Sequence, residues 1–188
     1  MASKFLLFLS LVSALAVHAG AAESETAPPA KVFDAQLSSV EGEVVSLAEA
    51  MPAEKYNFAP KDGEFKGVRT FAHQVTHIAA VNFMVAAALL GEPNPVDAGT
   101  DENGPANLKS KAEIVDFLKR SYAYTHKALK ITTAENLMTP VQSAFGKNQV
   151  PRLTMATVPQ WHSFDHYGQM VVYARMCGIV PPASRPRK

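Results

Sequence analysis

Apolar residues recur at helical spacing in three stretches of the chain, and a fourth long helix follows them. Between Val32 and about Met51, the residues Phe33, Leu37, Val40, Val44 and Leu47 fall on one face, and Pro52 closes the segment. Thr70 can cap a second helix running to Leu90, with Phe71, Val75, Ile78, Val81, Val85 and Leu89 as its stripe. Gly91 and Pro93 stop it. Ser110-Lys111-Ala112-Glu113 has the spacing at which a serine and a glutamate satisfy each other's backbone N–H groups. A third helix therefore opens there and runs to about Leu129, with Ile114, Phe117, Leu118, Tyr122 and Leu129 turned inward. Thr154 to Cys177 is the last long helix. Pro159 has no N–H to donate, so it either kinks that helix or marks its true start. Gly178 and Pro181-Pro182 end it.

The intervening segments read as connectors. Residues 54–67 carry Tyr56, Phe58 and Pro60, and the aromatics predict packing on the core. Residues 92–107 are rich in Pro, Gly, Asn and Asp and predict a loop. Thr132-Thr133-Ala134-Glu135 predicts a further short helical turn, and residues 145–152 a loop. No strand-like alternation and no internal repeat is visible. The expected class is all-α, a four-helix bundle over residues 32–182, followed by a tail at 183–188. Such a bundle can bury a sizeable core without disulfides or metal, so a metal here would serve function rather than folding.

The first 21 residues read as a signal peptide. Lys4 is their one charge, Phe5 to Val17 is apolar or small, and Ala19-Gly20-Ala21 offers small residues for cleavage. The run is shorter than the roughly 17–25 apolar residues that span a bilayer. No later segment reads as a membrane span. Residues 22–31 are polar with prolines and predict a flexible leader without a fold of its own. Export would place the mature protein in the periplasm or outside the cell.

Composition narrows the function. The chain has 188 residues, 47% hydrophobic and 19% charged, as expected for one globular domain. Lys and Arg number 18 against 17 Asp and Glu, and removing Lys4 with the signal takes the formal charge from +1 to 0. A neutral chain lacks the electrostatic footprint of a nucleic-acid binder. The single Cys177 excludes an internal disulfide and a cysteine-rich zinc site. In an oxidising compartment it is expected as a buried thiol or an intermolecular link.

The histidines carry the chemistry. His162 and His166 are four apart on the last helix, and His73 and His77 repeat that spacing on the second. At 3.6 residues per turn, each pair shares a face and suits two imidazoles gripping one ion. Neither the H-E-x-x-H pattern of zinc proteases nor a Glu-x-x-His di-iron pair is present. His126 stands near Lys127 and Lys130 and is expected to be exposed, and Trp161 is expected in the core or a pocket wall.

Three stretches then resemble a known family. The last helix reads His162-Ser-Phe-Asp-His166-Tyr-Gly-Gln-Met-Val-Val-Tyr-Ala-Arg-Met-Cys-Gly-Ile-Val-Pro-Pro182. The second reads Arg69-Thr-Phe-Ala-His-Gln-Val-Thr-His77-Ile-Ala-Ala-Val-Asn82, and upstream stands Met51-Pro-Ala-Glu-Lys-Tyr-Asn-Phe. Together they resemble the DinB superfamily of DinB/YfiT-like metalloenzymes over nearly all of the mature chain. The resemblance implies a four-helix bundle with a three-histidine site for a divalent ion, Zn, Ni or Fe, using His77, His162 and His166. It leaves His73 where many members carry Glu or another polar residue, as a neighbour of the ligands or a surface residue. Asp165, Gln169 and Tyr56 are the other candidates around the site.

The resemblance further implies a metal-dependent hydrolase or thiol transferase acting on an unknown small molecule, in a chain that pairs as a homodimer. The alternative is a metal-binding or stress-related module without turnover. An enzyme predicts an open coordination position beside a cleft; a binding module predicts the same histidines in a closed one.

Overall fold

The computed structural model describes residues 27–186. The expected signal peptide and residues 22–26 of the leader lie outside the described residues. Four long helices make up most of the fold: α1 (Pro29–Ala50), α2 (Phe71–Leu90), α3 (Lys111–Leu129) and α4 (Arg152–Met176). Both α1 and α2 pack against α3 and α4. The resulting all-α bundle is the architecture expected from the four long helices of the sequence.

The core follows the predicted faces. Leu37, Val40, Val44 and Leu47 of α1 are fully buried, as are Phe71, Val75, Ile78 and Val85 of α2. Each fully buried aliphatic side chain contributes roughly 1.5–3 kcal/mol. Tyr122 of α3 donates to Ser163 Oγ of α4 at 3.1 Å, a buried bond one residue from His162. The Ser110–Glu113 capping box forms as read: Ser110 Oγ accepts from the Glu113 N–H, and Glu113 Oε2 accepts from the Ser110 N–H.

Several local expectations are corrected. The helix α1 begins at Pro29, so residues 29–31 are helical rather than leader. Proline suits a first helical turn because its missing N–H has no helical partner there anyway. The helix α4 begins at Arg152, two residues before Thr154, and Pro159 lies inside it. Arg152 Nη1 donates to the Leu89 carbonyl at 2.7 Å, which ties the start of α4 to the end of α2. After Thr132 and Thr133 the chain forms a turn over residues 134–138, not a helix. Thr133 and Asn136 satisfy each other, each side-chain oxygen accepting the other's backbone N–H, as in a helix cap, but the turn they close is not continued as a helix.

A short hairpin was not legible. The strands β1 (Pro140–Gln142) and β2 (Gln149–Pro151) pair antiparallel, with Val141 opposite Val150. Three residues are too few for alternation to register. Gln142 Nε2 closes the loop by donating to the carbonyls of Gly146 and Asn148.

Burial brings three more corrections. His126 is half-buried, held between Asp34 Oδ1 at 2.6 Å and Glu41 Oε2 at 3.0 Å, both on α1. Lys127 lies 3.8 Å from Glu92 instead, and the acids facing His126 on the adjacent helix were not visible in the local sequence. Trp161 is 55% exposed, on the outward side of α4 with Phe164 and Val172. By length and composition α2 is apolar enough to cross a membrane, contrary to expectation, yet 78% of its apolar window is buried inside the bundle. A helix apolar on most sides is what a bundle centre needs.

Candidate metal centre

The second helix presents the first histidine. Thr70 accepts the His73 N–H at 3.2 Å and so caps the start of α2. His77 follows in the second turn, facing α4. His162 and His166 stand one turn apart on α4 and meet it. The three rings form a closed triangle, with centroids 5.0 Å apart for His77–His162, 4.7 Å for His77–His166 and 4.5 Å for His162–His166. All three are buried, at 7–8% exposure. One nitrogen from each lies within 4.8 Å of the others.

The spacing suits an ion. His77 Nε2 and His162 Nε2 are 3.2 Å apart. Two nitrogens bound at 2.0–2.1 Å to a tetrahedral zinc are separated by about 3.3–3.4 Å. The nitrogens that face one another are lone-pair donors, whereas His162 Nδ1, across its ring from Nε2, is buried without a partner among the described residues. A cation shared by the three Nε2 lone pairs fits this set of donors.

Two outer contacts set which nitrogen is bare. The carbonyl of Glu102 lies 2.9 Å from His77 Nδ1. A carbonyl only accepts, so Nδ1 carries the proton and Nε2 keeps its lone pair. Gln74 Oε1 lies 2.6 Å from His166 Nδ1 and does the same for that ring. Gln74 Nε2 in turn donates to Gln169 Oε1 at 2.9 Å, so α2 and α4 share a part-buried relay behind the triad. Such partners orient ligand rings and raise their basicity.

The Glu102 carbonyl is delivered by an unusual loop. Asp101 and Glu102 both have left-handed backbone, at φ 54° and 51°. For residues with a Cβ this costs about 1–2 kcal/mol each. Arg69 grips both sides of Glu102, with Nη2 donating to the Asp101 carbonyl at 2.7 Å and Nε to Asn103 Oδ1 at 2.8 Å. The Gly104 N–H donates to the Ala98 carbonyl at 2.7 Å and closes the loop at its base. Only glycine fits that crossing: a Cβ on Gly99 would stand 2.1 Å from the Gly104 carbonyl oxygen.

Burial keeps the rings neutral. It is the largest cause of lowering in all three histidines. His162 is pushed down to about 3, helped by His166, His77 and Arg69. His166 falls to about 4, with His77 and Arg69 lowering it and Asp165 opposing. His77 is lowered despite the Glu102 carbonyl, which favours its charged form. Neutral imidazoles are the metal-binding form.

The other expected residues fall into place around this triangle. His73 is exposed, outside the cluster, and lines a cavity of about 960 Å³ with Thr76, Asn103 and Ser110. Asp165 is exposed and acts on His166 by charge alone. Gln169 contributes through Gln74. Tyr56 is buried and donates to the Ala48 carbonyl at 2.6 Å, an anchor for the connector rather than a group at the triad. Gln74, Arg69 and the Glu102 carbonyl were not anticipated. A buried glutamine on an otherwise apolar stripe, three residues before His77, was the available signal for the first.

The fold and this buried three-histidine cluster define a four-helix bundle with a site positioned for a divalent metal. The chain belongs to the DinB superfamily, whose family model matches residues 36–170. Solved structures agree on the fold. A DinB-like protein from Bacillus cereus superposes with a TM-score of 0.64 at 18% identity, over 81% of this chain and 95% of that one. A conserved protein from Enterococcus faecalis gives 0.63 at 15% identity, over 80% and 98%. A DinB-like protein from Bacillus subtilis gives 0.60 at 16%, over 83% and 99%. Among curated proteins none matches the chain.

Proposed function

We propose that this is an exported DinB-like protein that binds one divalent metal ion, Zn, Ni or Fe, through His77, His162 and His166. The observation that carries the reading is the meeting of three buried, neutral imidazoles with their nitrogens within 4.8 Å. Three neutral ligands leave the ion's charge uncompensated and a coordination position free. A water there becomes acidic enough to act as a nucleophile, and a thiol there is held as thiolate. Both routes support a metal-dependent hydrolase or thiol transferase acting on a small molecule.

The depth of the site favours a second reading, a metal-binding module without turnover. Each ring is at most 8% exposed, and the large cavity beside the site is lined by His73 and Thr76 rather than by the triad.

Elemental mass spectrometry on the untagged protein, beside His166→Ala, tests the metal. About one metal per chain, lost in the variant, supports the site; none in either, after dialysis against Zn, Ni and Fe, overturns it. Cobalt substitution then separates the two readings. A change in the cobalt spectrum on adding a small thiol supports an open position and the enzyme. An unchanged spectrum supports the closed module.

A further inference from the structure

The loop behind His77 is built like a clamp. Its carbonyl at Glu102 meets His77 Nδ1, and the residues on both sides of Glu102 are held by one guanidinium. The two atoms that Arg69 binds are a backbone carbonyl and an amide oxygen, both uncharged. An arginine placed only for charge would be expected to meet a carboxylate. Here the fork geometry is what is used, with Nε and Nη2 spanning a strained dipeptide. The left-handed backbone at Asp101 and Glu102 is unfavourable without support, and Arg69 supplies it from the segment just before α2. Arg69 thus joins the base of the helix that carries His77 to the loop that orients His77.

We propose that Arg69 is a positioning residue for the metal: it holds residues 101–103 so that the Glu102 carbonyl keeps the proton on His77 Nδ1 and leaves Nε2 bare toward His162 and His166. This rests on the metal reading above. Charge and position make opposite predictions. A cation near the site repels a metal ion, so deleting Arg69 as a mere charge tightens binding. Deleting it as a clamp loosens binding, because the His77 ring loses its orienting partner.

The test is zinc affinity by chelator competition in the wild type, Arg69→Gln, Arg69→Lys and Asn103→Ala. Outer-shell losses of this kind typically weaken metal binding about 10–100-fold. Arg69→Gln and Arg69→Lys are both expected in that range, because lysine keeps the charge but not the fork. Asn103→Ala removes one prong and is expected to weaken zinc less.

Nitrogen-15 NMR of the metal-free proteins gives a second readout. His77 is expected as the Nδ1–H tautomer in the wild type and as a mixture in the Arg69 variants, with circular dichroism showing that the helices persist. Unchanged or tighter zinc in Arg69→Gln, or wild-type affinity in Arg69→Lys, overturns the clamp. Should Arg69→Gln fail to fold, Asn103→Ala decides by the same two measurements. A wild type that binds no zinc overturns the metal reading instead, and the tautomer still reports whether the clamp orients His77.

Discussion

Acid should destabilise the metal-free protein through its buried histidines, and His162 allows the size to be worked out. Its folded-state value is about 3 against an ordinary 6.5. Above pH 6.5 the ring is neutral in both folded and unfolded chains and adds no pH dependence. As pH falls below 6.5, the unfolded ring takes a proton and the folded ring does not. The folded state therefore loses stability, by about 1.4 kcal/mol per pH unit, until the folded value is reached. Between pH 6.5 and 4 the loss from this one ring is about 3 kcal/mol. That is a large part of the 5–15 kcal/mol typical of a domain.

The assay is urea unfolding at several pH values between 7 and 4, with chelator present, for the wild type and His162→Gln. Carboxylate titrations are common to both chains and largely cancel in the difference. The wild type is expected to lose about 3 kcal/mol more than the variant across this range. Parallel curves would mean that the folded ring accepts its proton near the ordinary value, and would refute the account of a desolvated, neutral triad.

Other changes probe the site's supports. Gln74→Leu removes the acceptor for His166 Nδ1. Zinc affinity by chelator competition is expected to fall about 10–100-fold while the helical circular dichroism is kept. Gly99→Ala places a Cβ 2.1 Å from a backbone oxygen at a φ of 72°. It is expected to cost more than about 1 kcal/mol, read as a lowered thermal midpoint. Gly42→Ala is the opposite case, a glycine inside α1 with nothing within 4 Å of an added Cβ. It is expected to raise stability by about 0.5–1 kcal/mol in the same measurement.

What could be read from the sequence depended on how local its cause was. The histidine pairs were visible because a helix puts residues four apart on one face whatever surrounds it. The capping box at Ser110 and the stripe of α1 were visible for the same reason. The meeting of His77 with α4 needed tertiary packing, which no local pattern carries, and only the family resemblance implied that pairing. His126 misled because its lysine neighbours are local, while Asp34 and Glu41 are 92 and 85 residues away. The hairpin was hidden because two strands of three residues have no period to detect.

The groups that orient the triad were hidden for a different reason. The acceptor for His77 is a backbone carbonyl, which every residue has, so no residue type announces it. Its placement depends on two successive left-handed residues, Asp101 and Glu102; aspartate visits that region more readily than most side chains, but glutamate has no such preference. Arg69 reads as an ordinary charge before a helix until its partners, 32 and 34 residues on, are known. Residue type thus marks the atoms that could hold a metal, while the loop that sets their protons is a property of backbone conformation. A chain retaining all three histidines but losing Arg69 or Gly99 would therefore keep the sequence signature while binding metal more weakly, and the histidine pattern alone would not reveal it.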